Sequence, residues 1–198
     1  MKLKSVVLIL FTLLCIACNQ QTKNRETNQY EILSLLVSDM TKPPFPIALL
    51  KERYTDEEID SIMNTNQKVA VAPTFFHDNS EIPFNVKVNS EFKELLAKMK
   101  TDESAEEMSI DINKIRVPNN VKLVIADTAK IKQDRYYIEK NYNIWLTFLK
   151  VYFKDTQDRA IIVAGLSRGY LSGGTSVFFL EKIDGIWQKV GSQSLSIS

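Results

Sequence analysis

All six glycines of this 198-residue chain lie in its last 34 residues, at positions 165, 169, 173, 174, 185 and 191, while all six prolines lie at or before Pro118. Glycine supplies the positive φ and close backbone approach that tight turns and bulges need, and proline removes a ladder donor. The partition therefore assigns the C-terminal third to short-turned antiparallel strands and the interrupted helices and loops to the rest. Ala160 to Leu166, Ser176 to Ile183 and Ile186 to Val190 read as a meander. Asp184-Gly185, between two apolar runs, is the strongest hairpin signal in the chain, and Leu195 to Ser198 reads as the end of the sheet.

Ahead of the meander, Ile32, Leu35, Leu36 and Met40 form one amphipathic face, predicting a helix from Tyr30 that ends before Pro43, Pro44 and Pro46. A second helical segment covers Ile47 to Tyr54, and Thr55 with Glu58 has the form of a capping box opening a short helix. Lys68 to Phe76 and Ile82 to Val88 read as strands around the polar loop His77-Asp78-Asn79-Ser80-Glu81. Ser90 is the expected N-cap of a helix carrying Phe92, Leu95, Leu96 and Met99, and the acidic Thr101 to Glu107 is expected to be an exposed loop. Met108 to Val117 and Val121 to Ala126 read as strands joined by Pro118-Asn119-Asn120. Over Tyr142 to Phe153 the signals compete: Trp145, Phe148, Leu149 and Tyr152 follow helical spacing, while the aromatic and β-branched content suits a strand. The periodicity predicts a helix there. Strands and helices are partly segregated along the chain, so the expected class is α+β, an antiparallel sheet with a C-terminal β-meander and packed N-terminal and middle helices.

The N-terminus carries an address. Lys2 and Lys4 precede a run from Val6 to Ala17 that is apolar apart from Thr12, followed by Cys18. A positive start, a short apolar run and small residues before a cut describe a secretory signal over residues 1–17. Twelve helical residues reach only about 18 Å against a hydrocarbon core of about 30 Å, which argues against a permanent span. A cysteine directly after Ala17 resembles the lipobox of bacterial lipoproteins, whose cysteine is acylated and becomes the mature N-terminus. Residues 18–28, the lipidated Cys18 followed by Asn, Gln, Thr, Lys, Arg and Glu, read as a solvated tether to a single domain over 29–198. With Cys15 removed and Cys18 acylated, the mature chain has no free thiol and no disulfide, which excludes cysteine nucleophiles, thiolate zinc sites and iron–sulfur clusters. It then carries 23 basic against 24 acidic residues, too even a balance for nucleic-acid binding.

Trp145 with Phe148 and Tyr152, then Ser167-Arg168, Leu171-Ser172-Gly173-Gly174, Phe179-Leu180, Lys182, Gly185 and Trp187, together resemble a set of small uncharacterised lipoproteins of Gram-negative bacteria. The resemblance implies an envelope location and a topology, and no activity.

Residues that carry chemistry are few. His77 is the only histidine, so paired-histidine metal sites and a two-histidine facial triad are impossible within one chain. Any Ser-His-Asp relay would need His77, which adjoins Asp78 and lies near Ser80 and Glu81, but such relays are defined by geometry and not by adjacency. Asp78, Asn79 and Glu81 offer oxygen ligands to a hard cation on a looser pattern than a calcium loop. Ser90-Glu91-Phe92-Lys93 matches S-x-x-K without its K-T-G partner, and helix capping accounts for Ser90. Between Ser167 and Ser176, Arg168, Tyr170 and Ser172 share a glycine-rich connection. Read functionally, it presents backbone N–H groups and an Arg168 clamp to an anion; read structurally, it is a hairpin with a β-bulge and Arg168 facing water.

The sequence thus describes a lipid-anchored protein of the bacterial cell envelope, on a periplasmic or surface-exposed membrane face. It uses no cofactor or metal and binds an envelope protein or a glycan without catalysis, with Arg168, Tyr170 and Ser172 as the candidate surface. The alternative is an envelope hydrolase using carboxylates near His77, Asp78 and Glu81.

Overall fold

The computed structural model describes residues 23–43, 47–76, 86, 88–102, 108–169 and 171–197. Residues 1–22 with Cys15 and Cys18, the polar loop expected from His77 to Glu81, most of the strand expected over Ile82 to Val88, positions 103–107 and Tyr170 lie outside the described residues. The chain folds as α+β. Its helices are α1 (23–40), α2 (Ile47–Lys51), α3 (Asp56–Met63), α4 (Lys93–Thr101), α5 (Thr128–Gln133) and α6 (Tyr137–Asn141). Its strands are β1 (Gln67–Val71), β2 (Val121–Ile125), β3 (Ile144–Phe148), β4 (Tyr152–Phe153), β5 (Arg159–Gly169), β6 (Ser172–Ile183) and β7 (Ile186–Ile197). They form one sheet in the order β2-β1-β3-β5-β6-β7, with β4 also on β5.

The meander is antiparallel as expected, and its strands run longer than the apolar runs suggest. The sheet as a whole is mixed, because β1 pairs parallel to both β2 and β3. The β2-to-β3 connection through α5 and α6 carries the chain past β1 to its other edge, a crossover that parallel neighbours require. Asp184 (φ 50°) and Gly185 (φ 79°) between the paired Ile183 and Ile186 make the two-residue turn whose positive φ values suit a right-twisted hairpin.

The helix expected over Tyr142 to Phe153 is instead β3 and β4. Ile144, Leu146 and Phe148 are fully buried and alternate with half-buried Trp145 and Thr147, a period of two that places Trp145 and Phe148 on opposite sheet faces. Residues 108–117 are not a strand either. They hold a 3-10 turn at Ile112–Lys114 and lie along α1, where the Asp111 amide donates to the Tyr30 hydroxyl (3.0 Å) and the Arg116 amide to Ser34 Oγ (2.9 Å). Positions 23–28, read as tether from composition, belong to α1; their Lys, Arg and Glu side chains are good helix formers. Ser90 does not cap α4 but opens a 3-10 turn leading into it, and its hydroxyl donates to Asn89 Oδ1 (3.1 Å). The Thr55 capping box forms with both of its bonds, Glu58 amide to Thr55 Oγ1 (3.3 Å) and Thr55 amide to Glu58 Oε2 (2.9 Å).

Helix α1 seals the first face of the sheet. Tyr30, Ile32, Leu33, Leu36 and Val37 pack over Val69, Val71, Leu146, Ile162, Phe178 and Leu180. On the second face Phe92, Leu95, Leu96 and Met99 cover Ile161, Val163, Val177 and Phe179. Asp39 ties α1 to β7 through Lys189. Burial raises the Asp39 pKa, but the hydrogen bond and charge of Lys189, with Lys42, outweigh it and hold the carboxyl below its usual value. Its contribution is therefore present above the unfolded value of about 4 and lost as pH falls through the lower folded value. Asp39→Asn is expected to lower stability by about 0.5–1 kcal/mol at pH 7 and by nothing near pH 2. Denaturant melts of both proteins across that range check this, and a pH-independent difference contradicts it.

Candidate functional site

An open groove lies on the second sheet face between the ends covered by α4 and α6. Period-two alternation places Trp145 and Thr147 of β3, Gly165 and Ser167 of β5, and Gly173 and Thr175 of β6 on this face. Two cross-strand rows result. Trp145, Ser167 and Gly173 pair across one, and Thr147, Gly165, Thr175 and Ser196 across the next. The row beyond, where Val163 pairs with Val177, is already apolar and belongs to the cluster under α4. At the other end α6 closes down, with Glu139 so near Gly169 that a Cβ there would stand 2.5 Å from its Oε1.

The absence of side chains at Gly165 and Gly173 gives the groove its depth, and its volume is about 520 Å³. A Cβ at Gly165 would lie 2.4 Å from Thr147 Oγ1 and 3.5 Å from Thr175 Oγ1, so two hydroxyls from flanking strands converge above a bare stretch of backbone. Phe76, Leu149, Ile138 and Arg135 form the walls, and Phe76 is 40% exposed. Trp145 is half-buried, and its Nε1 is shielded from water with no acceptor among the described residues. Chemically the groove offers aromatic faces and a row of hydroxyls.

Of the residues singled out from sequence, the described ones, Arg168 and Ser172, are not among those lining this groove. Arg168 is the extra residue of a β-bulge between Ser167 and Gly169, and its side chain is half-buried and turned toward α1. Its Nη2 donates toward the Met40 (3.4 Å) and Lys42 (3.3 Å) carbonyls at the C-terminal end of α1, where Gln67 Nε2 also donates to the Thr41 carbonyl (2.9 Å). A cation at that end satisfies carbonyls left over by the helix and complements its dipole. Burial lowers the Arg168 pKa, the direction expected for a cation drawn from water. Ser172 is exposed beside the β5–β6 turn, and Tyr170 lies outside the described residues. The connection that reads as a glycine-rich loop is mostly paired strand, with Gly169 opposite Ser172. His77, Asp78 and Glu81, on which the hydrolase reading depends, also lie outside the described residues.

A second cluster sits at the end of α4. The Tyr152 hydroxyl donates to Asp102 Oδ2 (2.9 Å), which also pairs with Lys150 Nζ (3.0 Å). Burial first, and then the Asp102 carboxylate, push the Tyr152 phenol far above its usual range. This holds the phenol as a proton donor and fastens β4 to α4.

Trp145, Thr147, Gly165, Thr175 and Ser196 are not evident as a site in a reading by motif. The signal that could have found them is the small side chain at every second position, Gly165, Ser167 and Gly169, then Gly173 and Thr175, once those stretches are recognised as strands. No protein-family model matches the chain, and neither a curated protein nor a solved structure matches it.

Proposed function

We propose that this protein is a lipid-anchored module of a bacterial cell envelope that binds a glycan in the groove between α4 and α6. The signal pattern ending at Ala17-Cys18 supports the anchor. The observation that carries the ligand class is the paired row Thr147, Gly165, Thr175 and Ser196 beside Trp145 and Phe76. A sugar ring presents hydroxyls at its edge and C–H groups on its faces, so it needs a hydroxyl row next to an aromatic plane.

An array of cell-wall and surface glycans probed with the wild type and with the Thr147→Val, Thr175→Val double variant tests this. Wild type is expected to retain at least one glycan. Two lost hydrogen bonds of about 1 kcal/mol each should weaken it by roughly 10- to 30-fold, while the near-isosteric valines keep the fold. A wild-type protein that retains no glycan, one that captures only a protein partner, or a double variant that binds undiminished overturns the reading.

A further inference from the structure

The position of the anchor relative to the fold determines which end of the domain meets the membrane. This inference rests on acylation of Cys18. Five chain steps separate Cys18 from Lys23, the first described residue of α1, and cannot span more than about 18 Å even fully extended. The start of α1 is therefore held close to the lipid surface. Lys23 and Glu26 of α1 line one groove together with Lys114, Arg116, Gly185 and Ile186, so the β6–β7 hairpin tip lies at the same end of the domain. That tip carries large apolar side chains directed at solvent: Ile186 is 67% exposed and Ile183 40% exposed, on either side of the two-residue turn. Leu171, at the opposite end of β6, is 77% exposed.

We propose that the β6–β7 hairpin tip is a membrane-contacting element. Ile183 and Ile186 enter the headgroup layer, and Lys23 and Arg116 lie beside the lipid phosphates, while Lys114 stays paired with Glu26 (2.6 Å). An isoleucine at a hairpin tip is normally a solubility liability; against a bilayer it gains an apolar surround while the charged residues stay in the polar layer. Thr175 is eight residues from Ile183 along β6, about 27 Å, so this seating displays the glycan groove away from the membrane.

Acylated protein in phosphatidylcholine–phosphatidylglycerol vesicles provides the test. Because the mature chain has no other free thiol, a single introduced cysteine takes a polarity-sensitive fluorophore at one site. Labels on Ile186→Cys and Ile183→Cys are expected to shift to the blue and to be quenched by nitroxide lipids, and a label on Leu171→Cys to do neither. Vesicles that carry the protein on flotation but leave all three labels alike overturn the membrane contact and leave the anchor standing. Protein that does not float with vesicles overturns both.

Discussion

Replacing Cys18 by alanine is expected to remove the protein from the membrane fraction or to stop its processing. The acyl chains would be attached at that side chain, and each buried methylene contributes about 0.8 kcal/mol to membrane affinity, so no partial retention through lipid survives their loss. No helix among the described residues is long and apolar enough to cross a bilayer. A hairpin tip with two isoleucines holds a domain on a surface only when the anchor has already brought it there. Membrane fractionation with an intact-mass measurement of the N-terminus reads the result. Cys15→Ala should behave as wild type, because Cys15 would fall within the segment removed by the proposed cleavage. A Cys18→Ala protein that matured and sedimented normally would contradict the lipobox assignment.

The second large effect is expected at Asn28, a buried polar residue on α1. Its Oδ1 accepts from Lys182 Nζ (2.7 Å) and Trp187 Nε1 (3.3 Å), and its Nδ2 donates to Gln157 Oε1 (3.0 Å). One amide thus joins α1 to β6, to β7 and to the turn before β5, where Gln157 holds a φ of 55°. Asn28→Ala leaves the buried Trp187 Nε1 without its acceptor, while Lys182 and Gln157 are only part-buried and Lys182 keeps Glu31 (3.5 Å). A buried group stripped of its partner costs about 1–3 kcal/mol, and the lysine bond is charge-assisted but partly open to water, so the expected loss is about 2 kcal/mol. For a domain of this size that lowers Tm by roughly 4–8 °C. Thermal melts of Asn28→Ala and of Asn28→Asp separate the causes. Aspartate keeps an acceptor for Lys182 and Trp187 and should recover most of the loss, whereas equal melting of both variants would show that the hub does not hold the helix.

Local chemistry was legible in the sequence wherever one interaction decides the conformation. Asp184-Gly185, the Thr55–Glu58 box and the stop of α1 before Pro43 each depend on a few adjacent atoms, and each forms as read. Readings failed where distant partners decide. Trp145, Phe148, Leu149 and Tyr152 fit helical spacing, but pairing with β1 and β5 makes this segment strands and sends Trp145 to the groove and Phe148 to the core. Residues 108–117 carry strand-like apolar content, yet their amides at Asp111 and Arg116 bond to side chains of α1. Arg168 has the chemistry of an anion clamp, and only the fold reveals that its Nη2 turns to the carbonyls of Met40 and Lys42, more than 120 residues earlier. The groove depends on alternation in β3, which reads as a helix, and in the adjoining ends of β5 and β6, which read as a loop beyond Leu166.

The chain has only two tryptophans, Trp145 in the groove and Trp187 packed near Phe153 in the core, so intrinsic fluorescence reports on the proposed site directly. Titration with a glycan retained on the array should change the emission of the wild type. The change should disappear in Trp145→Phe, even where that variant still binds. Binding that saturates while Trp145 emission stays constant would place the ligand elsewhere and contradict the account.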